Sequence, residues 1–137
     1  MSQTDTVAEL GSRINIIEEA YEFMLAYASQ GLSTDQGNDT GRQAREYLKK
    51  CDAALGGLPG VITHYVEAEG LQPKAPYDAF VAVIEHDARN SQAAIQLVLA
   101  QPAISSQMVD NLNASIHLRA LLTDLFLIDE ALKAHTR

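Results

Sequence analysis

The 137-residue chain predicts an all-α fold, an antiparallel up-down-up-down four-helix bundle. Four stretches repeat apolar side chains at alternating steps of three and four, the period of a helix with one buried face. The strand-type alternation of period two is absent, and the connections between stretches are short, which favours antiparallel neighbours. A 3–4 pattern sustained this long also favours shallow crossing angles. Neither an internal repeat nor a low-complexity segment divides the sequence, so residues 1–137 are expected to form a single domain. A chain of this size buries roughly two-thirds of the surface it exposes when unfolded, enough for one core.

The first helix is signalled by Thr6-Val7-Ala8-Glu9, the spacing of a capping box. Its stripe runs Val7, Leu10, Ile14, Ile17, Tyr21, Met24, Ala28, and it is expected to end near Gly31. Residues 32–39 are rich in Gly, Ser, Thr, Asp and Asn and read as a loop. Thr40 and Gln43 repeat the capping-box spacing, and Ala44, Leu48, Cys51, Leu55, Leu58, Ile62, Tyr65 and Glu69 form the second stripe. Because the phase persists through Gly56–Gly60, a single helix kinked near Pro59 is expected; the alternative is a turn at the glycines between two short helices. Pro76 opens the third helix, where a missing N–H is tolerated, and Tyr77, Val81, Ile84, Ala88, Ser91, Ile95 and Val98 form its stripe. Ala88 and Ser91 make a narrow waist. Pro102 closes this helix, and Ser105 or Ser106 can cap the fourth, read as one helix to Lys133.

That fourth helix carries more apolar side chains than one face can bury. Asn111, Ala114, Leu118, Leu121, Leu125, Ile128 and Leu132 continue the core pattern, while Val109, Leu112, Ile116, Ala120 and Leu127 lie on the other side, with Phe126 close by. The first helix has a weaker second strip of Ile16, Ala20, Phe23 and Tyr27. First and last helices are neighbours in an up-down bundle, so the two strips are expected to merge into one association surface. Its predicted partner-binding residues are Ile16, Phe23, Tyr27, Val109, Leu112, Ile116 and Leu127. Burying such side chains contributes roughly 1.5–3 kcal/mol each before association costs, enough for a homodimer about a two-fold axis or for docking another protein. The competing expectation is that the core faces are rotated and absorb these residues.

The balance of 18 acidic against 10 basic side chains, a formal charge of −8, argues against nucleic acid and against an anionic membrane surface. Charged or polar residues interrupt every apolar run before the roughly 18 residues of a membrane span. Cys51 stands alone and the N-terminal residues lack the basic start and apolar run of a signal peptide, so a soluble, acidic protein of the reducing cytoplasm is expected.

Helical bundles also house di-iron and haem sites. The paired Glu-x-x-His of the former is absent: Val83 precedes His86 by three, Ala114 precedes His117, and His64-x-x-Glu67 runs in reverse. Glu18, Glu22, His86 and His117 remain the metal candidates, at similar heights but in disagreeing phases. Met24 at a core position reads as a gap-filler rather than a haem ligand, and Cys51 as an inert core thiol. No phosphate loop, dinucleotide fingerprint or nucleophile elbow is present. Arg42, Arg45 and Lys49 form a basic strip expected to pair with Glu18, Glu19 and Glu22 of the first helix. The expected function is a non-enzymatic helical interaction or accessory protein, an assembly factor or adaptor, without cofactor, that self-associates or binds a protein through the first and fourth helices. The alternative is a bundle holding a metal or small ligand at a carboxylate/histidine site in its interior.

Overall fold

The computed structural model describes residues 3–135, with side chains from residue 5 onward. They form six α-helices: α1 Gln3–Ala28, α2 Asp39–Leu55, α3 Leu58–Glu69, α4 Lys74–Leu99, α5 Ser106–Ala114 and α6 His117–Lys133. Among the described residues there is no strand, and no helix is long and apolar enough to cross a membrane. Helices α1 and α4 each pack against both members of the pairs α2/α3 and α5/α6.

The expected second helix is two. Gly56 is extended and Gly57 adopts left-handed φ/ψ (φ 73°), a conformation that favours glycine, so the helix breaks outright rather than kinking. Pro59 then falls in the first turn of α3, where its missing N–H is no loss. The two-residue break preserves the phase: Ala44, Leu48, Cys51, Leu55, Leu58, Ile62 and Tyr65 are all buried.

The expected fourth helix is also two, and here the break changes the phase. Ile116 sits between α5 and α6 with φ 62°, the left-handed region, where a β-branched side chain is strained. At 100° per residue, Val109 and Leu118 would lie on opposite faces of one continuous helix. Reorientation at Ser115–Ile116 turns both inward, and Val109, Leu112, Leu118, Leu121, Leu125, Ile128 and Leu132 all join the core. For Val109 and Leu112 the apparent surplus is a second core face, whereas Ile116, Phe126 and Leu127 stay exposed.

Several caps are corrected. Thr6 lies inside α1 and is buried, while Glu9 pairs with Arg13 (3.0 Å) instead of closing a box. Asn38, not Thr40, caps α2, its side chain accepting from the Gly41 N–H at 2.6 Å. Ser105 caps α5 by accepting from the Met108 N–H at 3.0 Å. On α1, Val7 is 40% exposed whereas Ala20 and Tyr27 of the second strip are buried.

One end of the molecule is locked by polar contacts. Asp35, in the α1–α2 loop and nearly fully buried, accepts from Arg45 Nε (2.9 Å) and from the Ile104 N–H (2.7 Å). Arg45 also donates to the carbonyls of Leu99 and Gln101, so a single α2 side chain ties the α1–α2 loop to the α4–α5 loop. Tyr27 donates to the Ile104 carbonyl (2.7 Å), and Ser106 donates to the Tyr27 carbonyl (2.7 Å) while accepting from the Leu32 N–H (2.9 Å). Burial raises the Asp35 carboxyl pKa, but hydrogen bonds from Arg45 and Ile104 outweigh it and the net shift is downward. The basic strip therefore does not meet the α1 acids: Arg45 holds Asp35, Arg42 pairs with Asp39, and Lys49 lies 3.8 Å from Glu46.

Candidate functional site

The structure separates the residues expected to form one association surface. Tyr27, Val109 and Leu112 are buried in the core and are closed to a partner in this conformation. Phe23 and Ile16 are half-buried, and Phe23 stacks on Tyr47 of α2 with ring centroids 4.6 Å apart, with Lys50 over the same ring. Phe23 thus lies on the side of α1 that faces α2. Only Ile116 (59%) and Leu127 (60%) are freely exposed.

Their exposure belongs to another face. Helices α4 and α6 run antiparallel, with the Tyr77 hydroxyl at the start of α4 2.8 Å from His135 Nε2 just beyond α6. Along this seam Asp87 meets Asp124. The same register sets Val83 level with Leu127, and helical phase turns Val83, Leu97 and Leu127 outward on the α4–α6 side, while Ile116 caps α6 near the Leu97 end of the seam. All four are among the exposed large apolar residues. Between the two pairs lie Asn90 on α4 and Ala120 on α6, and small side chains such as Ala79, Ala131 and Ala134 extend the strip.

This outward strip carries no Lys or Arg, but Asp87 falls at helical spacing between Val83 and Asn90 on α4, and Asp124 between Ala120 and Leu127 on α6. Two acids lie in its floor. Burial pushes the Asp124 carboxyl up, a hydrogen bond with Asp87 and the Asp87 charge push it further, and its pKa reaches about 7. Asp124 Oδ2 is buried without a hydrogen-bond partner.

The metal candidates are not brought together. Glu18 and Glu22 are on α1, His86 is on the rim of the α4–α6 strip, and His117 is at the start of α6. Among the described residues no three His, Cys, Asp or Glu side chains are placed to hold a metal ion. Cys51 is buried and its thiol is pushed up to about 12, chiefly by burial and secondarily by Asp52. Asn111, expected on the core stripe, is exposed and accepts from Gln107 (3.2 Å), whereas Asn113 donates to the Met24 carbonyl (3.2 Å). The waist residues Ala88 and Ser91 are buried as core, with Ala88 also reaching the floor of an open cleft of about 570 Å³ between α3 and α4. His64, Glu67 and the Glu85–Arg89 ion pair (2.5 Å) line that cleft.

Comparison with models of protein families, with curated proteins and with solved structures finds no match. The α4–α6 face must therefore be read from its own chemistry.

Missing from the expected site are Val83, Leu97 and Asn90. Their spacing of seven was present in the sequence, a second stripe on the third helix outside its core stripe.

Proposed function

We propose that the protein is a non-enzymatic helical interaction module, an accessory or assembly factor, that binds protein through the α4–α6 face. In this reading α2/α3 and α5/α6 each act as one interrupted rod, and the chain is an up-down-up-down bundle of four rods whose outer faces are free to specialise. The observation that carries the proposal is the group of exposed apolar side chains Val83, Leu97, Ile116 and Leu127 along α4 and α6. Exposed apolar side chains scattered singly need no explanation, but four along two adjacent helices form a patch. Both members of the α4–α6 seam belong to the packed core on their inner sides, so the face is presented on rigid elements.

Val83→Lys combined with Leu127→Lys tests it. Far-UV circular dichroism and the melting temperature are expected to stay within about 2 °C of wild type, because exposed substitutions usually change stability by under about 0.5 kcal/mol. Association, read by sedimentation of the pure protein and by co-purification from cell extract, is expected to be lost. Collapse of the fold would place these side chains in the core, and intact association would move the docking function elsewhere.

A further inference from the structure

We infer that α6 is an exchangeable element: when the backbone at Ile116 straightens, α5 and α6 become one continuous helix, and α6 takes the equivalent seat on a second copy of this chain, which returns its own. The hinge is a single residue. Ser115 is already helical and its N–H donates to the Asn111 carbonyl (3.1 Å), while the Ala120 N–H donates to the Ile116 carbonyl (2.8 Å), so helix stands on both sides. Only Ile116 departs, in left-handed backbone that a β-branched side chain disfavours. Its surroundings do not compensate, because the side chain is largely exposed and no side chain caps the start of α6. A straight helix removes the strain and lets the carbonyls of Asn113, Ala114 and Ser115 accept from the N–H groups of His117, Leu118 and Arg119. Short hinges under strain are where exchange of an identical element between copies arises.

Straightening cannot be accommodated within one chain. Leu118, Leu121, Leu122, Leu125, Ile128 and Leu132 form the buried face of α6. On a continuous helix, at 100° per residue, that face points about 180° away from Val109 and Leu112, which hold α5 in the core. With α5 seated, the α6 face therefore turns away from its own chain and must be buried elsewhere. The surface shaped for it is the seat on α4 and α1 that α6 has left, and a second copy offers that seat unchanged. There Asp124 again meets Asp87, and His135 again meets Tyr77, now across two chains. Exchange thus re-forms the contacts of α6 and adds the relief of two hinges, which is why a second copy is the occupant.

The test uses the full chain, unfolded in urea and refolded at about 5 μM and about 300 μM, because α6 must leave its seat before it takes another, which folded protein does slowly. A dimer with the helicity of the monomer is expected at the higher concentration and monomer at the lower. Ile116→Gly relieves the strain without straightening and should cut the dimer fraction at least about tenfold, whereas Ile116→Ala keeps a Cβ in left-handed backbone and should retain it. A dimer unchanged by Ile116→Gly overturns the inference. So does loss with both substitutions, which would assign the dimer to the exposed side chain. Chains carrying only Asp87→Cys and only Asp124→Cys, refolded together and then treated with a short bismaleimide, should crosslink to each other, with little background because Cys51 is buried. The doubly substituted monomer, crosslinked within itself, is the control for geometry. Monomer at both concentrations, or a dimer without the mixed crosslink, overturns the exchange. Val83→Lys with Leu127→Lys should leave the exchanged dimer intact, since both side chains are exposed outside the seat. Loss of the dimer in that variant would assign it to the docking face and overturn the exchange alone.

Discussion

Ile116 is the residue at which fold and proposed function pull in opposite directions. It holds left-handed backbone (φ 62°) yet exposes 59% of its surface, so little core packing rewards the strain. Left-handed conformation costs an L residue roughly 1–2 kcal/mol, and glycine avoids most of that penalty. Ile116→Gly is therefore expected to stabilise the monomer by about 1 kcal/mol in urea unfolding while weakening association. A loss of stability would mean that the isoleucine side chain packs on its neighbours more than its exposure implies. Gly41 is a residue of the opposite kind, buried beneath the α1–α2 loop, where a Cβ would overlap the Asp35 backbone. Gly41→Ala forces the loop off α2, and overpacking of this sort typically costs 1–3 kcal/mol, visible as a lower urea midpoint.

At the level of elements, the breaks between helices decide which face is buried. The stripes of α2, α3 and most of α4 could be read directly, because Gly56–Gly57 advances the chain without losing phase and both glycine and Pro59 announce the interruption. The α5–α6 break was hidden: Ser115 and Ile116 are ordinary helix residues, and an isoleucine in left-handed backbone gives no local signal. The only trace was two conflicting stripes, which sequence reasoning turned into an outer patch on the first and last helices. The same slip concealed the candidate face, since Val83 and Leu97 lie outside the core stripe of α4 and gain meaning only beside Ile116 and Leu127. The loop clamp was equally unreadable, because Asp35 and Arg45 are joined by the fold of the α1–α2 loop back onto α2 rather than by helical spacing. Removing one partner leaves the other buried and unpaired, so Arg45→Met is expected to cost about 3 kcal/mol and to raise hydrogen exchange in both loops. Loss of protection confined to the α1–α2 loop would mean that Arg45 does not couple the two.

For the whole molecule, two aspartates of opposite shift set how stability varies with pH. Asp35 has a lowered folded pKa, so its contribution is present above the ordinary carboxylate value of 3.8 and disappears as pH falls through the lower folded value. Asp124 has a raised one. Its folded form keeps a proton that the unfolded chain releases, so stability falls as pH rises from about 4 to about 7 and levels off above. Together they predict greatest stability on the acid side of neutrality, near pH 4–5. The group that meets Asp124 is Asp87 across the seam. Asp124→Asn separates the two contributions, because it leaves Asp35 in place and removes the titrating carboxyl at the seam. The variant should match wild type near pH 4 and exceed it at pH 8 by at least about 1 kcal/mol, roughly 3–5 °C in melting temperature. Equal melting temperatures at pH 8 would mean that the two carboxyls do not compete for one proton. A gain at both pH values would mean that the amide improves packing irrespective of charge.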